Sequence, residues 1–249
     1  MSNPFERFGL KHLSPSSLNL YGANQLLWVG KYLFGWQDEF GPAAARGSAI
    51  EAGLDYWLYK RDIPAAEIKA VDFFALKTEG QADDAHEDER KNIIPMLRQA
   101  IDALDAIDIP VPVCRQMKVE HYVDGVEVPI IGFLDYGFED FDLDLKTTKA
   151  CPSSIRADHA RQVSLYRAAR NKPQKLLYVT GKKSAMYGLG DNEAAIHLRD
   201  LERHARAVRH LLNKSADAED ARKFFAPDFS DFRWSEPLIE TANKLYEAA

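Results

Sequence analysis

The sequence predicts an α/β fold, a mixed central sheet flanked by helices and carrying added helical segments. Three observations lead there. Ile50, Leu54, Trp57 and Leu58 recur at i, i+4, i+7 and i+8, the spacing of a core-facing helical stripe. From about residue 113 to 147 the chain changes to strand runs separated by turn signals. After another helical stretch, residues 175–180 return to a strand pattern.

The elements follow in order. Ser14 is a candidate N-cap, and Pro15 suits the first position of a helix. Leu18, Tyr21, Leu26 and Leu27 supply its apolar contacts, and Gly22 and Gly30 predict a break between residues 22 and 35. Pro42 precedes the helix that carries the apolar stripe. Glu51 and Asp55 lie on an adjacent face, and Gly47, one turn before Glu51, leaves room for a backbone or a ligand. Pro64 opens a second helical pattern, closed by Gly80. A third contains Ile93, Leu97, Ile101 and Leu104, with Pro95 either kinking it or marking its start. Residues 62–108 are expected to form a helical insertion or cap with an acidic outer face. Ile109-Pro110-Val111-Pro112 is linker-like.

Asp124-Gly125 signals a two-residue hairpin between strands at 118–123 and 126–138, the second bent at Pro129 and Gly132. Glu139-Asp140 turns into a strand at 141–147. Ser153 or Ser154 caps a helix to about Arg170, and residues 184–188 offer a last strand. Residues 190–249 read as a helical C-terminal extension. Its aromatics Phe224, Phe225, Phe229, Phe232 and Trp234 suit packing better than base stacking. The whole of 1–249 is expected to be one domain.

Composition narrows the class. Hydrophobic content of 46% and charged content of 28% are ordinary for a soluble globular protein. No apolar run approaches the roughly 18 residues of a membrane span. Residues 1–7 lack the basic start and apolar core of a signal peptide. The two cysteines, Cys114 and Cys151, form no metal-ligand pattern, which suits a reduced cytoplasmic setting. Net charge is −6, from 32 Lys/Arg and 38 Asp/Glu, yet residues 146–183 hold ten Lys/Arg and one acid, Asp158. That +9 segment is a candidate phosphate-facing surface.

The chemistry centres on Asp135, Asp144 and Lys146, spaced Asp-x8-Asp-x-Lys. Side chains alternate along a strand, so Asp144 and Lys146 share one face while Leu143 and Leu145 take the other. Pairing this strand with the one carrying Asp135 brings two carboxylates and an ammonium together. Such a group can hold a divalent cation and orient a water; a structural ion pair explains the three residues equally well. On spacing alone Glu51 reads as a solvated helix acid. Gln162 and Tyr166 stand at i and i+4 on one helix. Glu120, on a strand beside that of Asp135, reads equally as a supporting carboxylate or an exposed acid. His159 reads as a solvated helix histidine.

The order of these residues is informative. Leu13-Ser14-Pro15-Ser16-Ser17-Leu18 is followed by Arg46-Gly47-Ser48-Ala49-Ile50-Glu51, Gly132-Phe133-Leu134-Asp135, Asp144-Leu145-Lys146-Thr147 and Gln162-Val163-Ser164-Leu165-Tyr166. Across residues 12–180 this series resembles the PD-(D/E)xK nuclease superfamily and, within it, the RecB-like exonuclease branch. The resemblance implies a restriction-endonuclease-like fold and a metal-dependent DNA nuclease, an exonuclease in DNA recombination, repair or phage DNA processing. It implies that Glu51, Asp135, Asp144 and the Leu145 carbonyl hold Mg²⁺ or Mn²⁺, with Lys146 beside the attacking water. Gln162 and Tyr166 would hold the DNA near the scissile bond, with Arg161, Arg170 and Lys149 as further substrate contacts.

Two departures matter. Branch members usually carry His where Glu51 stands, and an acid there makes the site more oxygen-rich. Many relatives carry four cysteines for an iron–sulfur cluster; with two cysteines, no cluster is expected here. The chain has no phosphate-binding P-loop, so a helicase partner would be a separate chain, as would a recombination or single-strand annealing partner. DNA is the expected partner, no membrane is expected, and a homo-oligomer is compatible. The expected setting is the cytoplasm of a bacterial or phage-infected cell. The alternatives are a catalytically inactive DNA-binding or assembly subunit that keeps the fold, and an unrelated α/β protein with a structural Asp–Lys pair.

Overall fold

A computed structural model describes residues 3–37, 40–81 and 83–247. The elements run α1 (Pro4–Arg7), α2 (Pro15–Ala23), α3 (Gln25–Leu33), α4 (Pro42–Lys60), α5 (Ile63–Lys77), α6 (Asp84–Asp105), β1 (Cys114–His121), β2 (Ile130–Gly137), β3 (Asp142–Thr147), α7 (Ala157–Arg170), β4 (Gln174–Val179), β5 (Ser184–Gly188), α8 (Asp191–Lys214), α9 (Ala218–Arg222) and α10 (Glu236–Glu247). Among the described residues, five strands form one sheet in sequence order. Only β3 and β4 are parallel, and α7 supplies the crossover that a parallel pair requires. This is the expected α/β class, a mixed sheet flanked by helices.

Local chemistry sets the helix ends. Ser14 caps α2 by accepting from Ser17 N, while the Ser17 side chain accepts from Ser14 N. The break after α2 falls at Asn24, whose side chain accepts from Leu27 N and starts α3. α4 begins on Pro42 and ends at Arg61, which adopts the left-handed region at φ 56°. Asp83 caps α6, so Pro95 lies inside that helix rather than at its start.

Each face of the sheet has its own core. On one, Ile50, Leu54 and Trp57 of α4 pack with Phe74 of α5, Leu97 of α6 and Leu143 and Leu145 of β3. Residues 62–108 are therefore part of the layer that covers this face. On the other, Val163 and Leu165 of α7 pack with Leu201 and Val208 of α8, Leu18 of α2, and Leu176 and Tyr178 of β4. A third apolar group joins Leu26 and Leu27 of α3 to Trp234 and Leu238, with Phe225 and Phe229 against it. Phe224 and Phe232 are left exposed, so only part of that aromatic set packs.

Two expectations about element bounds change. The Asp124-Gly125 turn forms, but β2 starts at Ile130, and the connection is eight residues long rather than two. Pro129 has no N–H for the ladder, and its carbonyl accepts from Leu13 N, while Ile131 N donates to Leu13 O. This short bridge joins the N-terminal segment to β2. The helix expected from Ser153 or Ser154 begins at Ala157 instead. The preceding backbone is held by other partners, with Tyr187 donating to Pro152 O and Arg156 N donating to the Tyr178 hydroxyl.

The basic segment is not one surface. Arg170 bonds the fully buried Asp142 at 2.9 Å and Arg167 pairs with Asp191. Lys172 donates to the carbonyls of Phe138 and Glu139, and Lys175 lies over the Phe141 ring. Arg170, expected to contact substrate, thus neutralises an interior acid. Replacing Arg170 by Ala strands the Asp142 charge, although Gln174 still donates to it at 2.9 Å. Chemical denaturation is expected to show a loss of about 3 kcal/mol, the low end for a broken buried pair. A loss below ~0.5 kcal/mol would contradict the structural role.

Candidate active site

The site begins where two strands part. β2 and β3 pair through Tyr136↔Leu143 and Gly137↔Asp142 only. The next step would set Asp135 opposite Asp144. Instead, Leu145 N donates to Asp135 Oδ2 at 2.9 Å, a side chain taking the place of a backbone acceptor. On its other side, Asp135 Oδ1 accepts from Gln116 Nε2 at 3.3 Å. Gln116 has φ 45°, the left-handed region, in the middle of β1. Strand alternation fails at the same row. Leu134 packs in the core beneath α7, whereas Tyr136, two residues on, packs in the core beneath α4.

Asp144 is 1% exposed. Its Oδ1 accepts from Gln162 Nε2 at 3.3 Å, and Lys146 Nζ stands 2.6 Å from Oδ2. That close, buried ion pair occupies Oδ2. Gln162 Nε2 also donates to the Tyr166 hydroxyl at 2.7 Å, and Tyr166 donates to Phe133 O at 2.7 Å. A chain of bonds thus fixes α7 against the parted strand. Gly132 makes this fit possible, because a Cβ there would lie 2.6 Å from Tyr166 Cε1.

The charges crowd one another. Burial, then the charges of Asp144 and Glu51, drive the Asp135 pKa well above the ordinary carboxylate value. Glu51 is pushed up to about 7, first by burial and then by Asp144. Burial works to lower the Lys146 pKa, but Asp144, Asp135 and Glu51 outweigh it and the net shift is upward. Three acids therefore share one firmly protonated ammonium. Among the described residues no three His, Cys, Asp or Glu side chains are already gathered into a metal-holding cluster. The oxygens of Asp135 are instead taken by Gln116 and Leu145 N, and Asp144 by Gln162 and Lys146.

Lys146, Gln162 and Tyr166 form part of the wall of a cleft of about 1090 Å³, which also contains Ser14, Phe133 and Arg161. Arg161 donates to Asn19 at 2.6 Å. Lys149 is not in this cleft but lines a smaller one of about 350 Å³ with Arg46 and Lys182. Arg46 is buried and paired with Glu89. Glu120 is not brought to the carboxylates; it pairs with Lys118 at 2.6 Å and accepts from Tyr122 at 2.9 Å. His159 is not a freely solvated histidine, since its Nδ1 lies 2.8 Å from the Tyr178 hydroxyl. Burial is the largest influence that holds its pKa down, to about 4. Gln116 went unnoticed in the sequence, where nothing around Arg115-Gln116-Met117 marks a left-handed residue.

Two outcomes are expected. A non-glycine residue in the left-handed region costs about 1–2 kcal/mol. Gln116→Gly should therefore melt higher than Gln116→Ala, although both lose the amide; equal melting temperatures would argue against strain. For Glu51 the folded chain keeps its proton up to about pH 7, whereas the unfolded chain releases it near 4.5. The native state binds more protons in that window, so stability falls as pH rises through it. Without added metal, Glu51→Gln should melt higher than the parent at pH 8 and close to it at pH 4.5. A gap that is the same at both pH values would contradict the assignment.

No family model and no curated protein sequence matches this chain. Among solved structures, one covering 63% of this chain and 72% of its own aligns at TM-score 0.32 and 14% identity. The crystal structure of a Eubacterium rectale protein, provisionally named an exonuclease, aligns at TM-score 0.57 over 92% of this chain and 88% of its own, with 11% identity. The fold described above is thus shared with that protein.

Proposed function

We propose that this chain is a DNA nuclease of the RecB-like branch, a hydrolase that cuts phosphodiester bonds with the help of a divalent cation. The observation that carries the reading is the parted pair β2/β3. It gathers Asp135, Asp144 and Lys146, buried carboxylates behind an ammonium that lines the cleft. The fold shared with the Eubacterium rectale protein agrees with it.

The donor set fits a hard cation. The donors are oxygens, and burial followed by the charge of Asp144 holds the pKa values of Asp135 and Glu51 above the ordinary carboxylate range, a crowding of acids that a divalent ion relieves. Asp135, Asp144 and the Leu145 carbonyl would hold Mg²⁺ or Mn²⁺, with Glu51 completing the set. Such an ion supplies charge stabilisation at the phosphate and a more acidic water. Lys146 is held protonated between the acids and the cleft, placed to orient a water and to stabilise charge growing on a phosphate oxygen. Gln162 and Tyr166 fix the geometry from α7 and face the same cleft. A structural ion pair accounts for Lys146 and Asp144 but leaves the crowding of Asp135 and Glu51 without a purpose.

The test is a time course on end-labelled and circular DNA, with Mg²⁺ and with Mn²⁺. The parent should degrade the linear DNA. Asp144→Asn and Lys146→Ala should each lower the rate by about 100-fold or more, with far-UV circular dichroism unchanged. Divalent ions should also raise the parent's melting temperature and leave that of Asp144→Asn little changed. No cleavage with either ion, and no ion effect on melting, would remove the proposal.

A further inference from the structure

The Phe133 ring takes no part in the interior packing. Its side chain is 53% exposed, two residues before Asp135, although it lies in the interior of β2. It belongs to none of the three apolar groups, and among the described residues its ring stacks on no other ring and beneath no cation. Isolated exposed apolar residues are ordinary. The position of this one is not, because Phe133 lines the same cleft as Lys146, Gln162 and Tyr166. Its backbone is also fixed there, since the Phe133 carbonyl accepts from Tyr166 at 2.7 Å.

The rest of the cleft has a consistent character. Arg156, Arg161, Arg233 and Lys146 line it, against a single acid, Asp158. A cationic groove with an exposed aromatic face is the combination by which proteins hold unpaired nucleic acid, phosphates along the charges and a base on the ring. In a duplex both faces of a base are covered by its neighbours, so an aromatic platform selects a strand whose bases are free.

We propose that the cleft takes a single DNA strand, with one unpaired base stacked on Phe133 next to the Asp135–Asp144–Lys146 group. The inference rests on the nuclease reading and narrows its substrate to a single-stranded or locally unpaired segment. Phe133 is here a substrate-positioning residue, and Arg161 and Arg156 are the phosphate contacts along the strand. Both arginines already have partners, Asn19 and Asp158, that would share them with a ligand rather than bury them.

The test uses the full chain and fluorescence anisotropy with a labelled oligothymidylate and a hairpin duplex, in Ca²⁺ and again in EDTA, the DNA length being checked after each titration. Phe133→Ala should weaken binding of the single strand by about 5- to 150-fold, the range for loss of one stacked base. Phe133→Trp should restore it, duplex binding should be unaffected, and melting temperatures should not move. In cleavage assays Phe133→Ala should raise KM on single strands far more than it lowers kcat. Unchanged single-strand affinity in Phe133→Ala, or equal losses on both DNA forms, would overturn the inference while leaving the nuclease reading intact if the parent still cuts DNA. A parent that binds and cuts neither form would overturn both.

Discussion

One hydrogen bond governs the middle of this molecule, that from Leu145 N to the Asp135 carboxylate at 2.9 Å. A sheet joins its strands by backbone groups, and here a side chain has entered the ladder. The exchange has two effects. It satisfies an amide that would otherwise be buried without a partner, and it turns Asp135 in toward Asp144 between strands that no longer pair. A carboxylate inserted in this way is costly to bury. The compensation comes from the surroundings, Gln116 on one side, the Leu145 amide on the other, and the Lys146 ammonium close by. The same parting gives α7 its place, because the carbonyl of Phe133 is left for Tyr166 to bind.

How much of this could be read in advance depends on the range of the interaction. Ser14 and Pro15, the Ile50–Leu54–Trp57 stripe and the strand runs at β3 and β4 are local patterns, and each formed close to where its chemistry placed it. Asp144 and Lys146, two apart on one strand, and Gln162 and Tyr166, four apart on one helix, could be assigned to common faces from spacing alone. What escaped depends on residues far apart in sequence. Gln116 matters only because β1 lies beside β2 in a register that sets it at Asp135. The alternation rule would have placed Leu134 and Tyr136 on one face, and it fails only at the row where the carboxylate interrupts the ladder. The ten cations of residues 146–183 looked like a surface in one dimension. In three dimensions Arg170 serves the interior and Lys172 ties down a turn.

Charge is arranged in the same economical manner. The cations that remain in the main cleft are few, and the acids behind them are crowded. His159, in the cleft wall, has its pKa held down to about 4, chiefly by burial, and its Nδ1 lies 2.8 Å from the Tyr178 hydroxyl. Behind the cleft, Glu51 is the acid whose proton is held up to about pH 7, first by burial and then by the charge of Asp144. Acidic crowding and permanent cations on opposite sides of Lys146 make that ammonium the boundary between the interior acids and whatever occupies the cleft.

The bridge between Leu13 and Ile130 has a consequence of its own. When two neighbouring strands diverge, each acquires a stretch of free amides and carbonyls, in effect a new edge inside the sheet, and such an edge can recruit a strand from another chain. The N-terminal half of β2 would be such an edge. Leu13 fills it with two backbone bonds, to Pro129 O and from Ile131 N. The following residues immediately turn away into α2, so the borrowed strand is too short to extend the pairing. The segment before α2 thus acts as a stopper that lets the sheet stay open toward the cleft without becoming adhesive, and a chain deprived of it would be expected to lose solubility before it lost its fold.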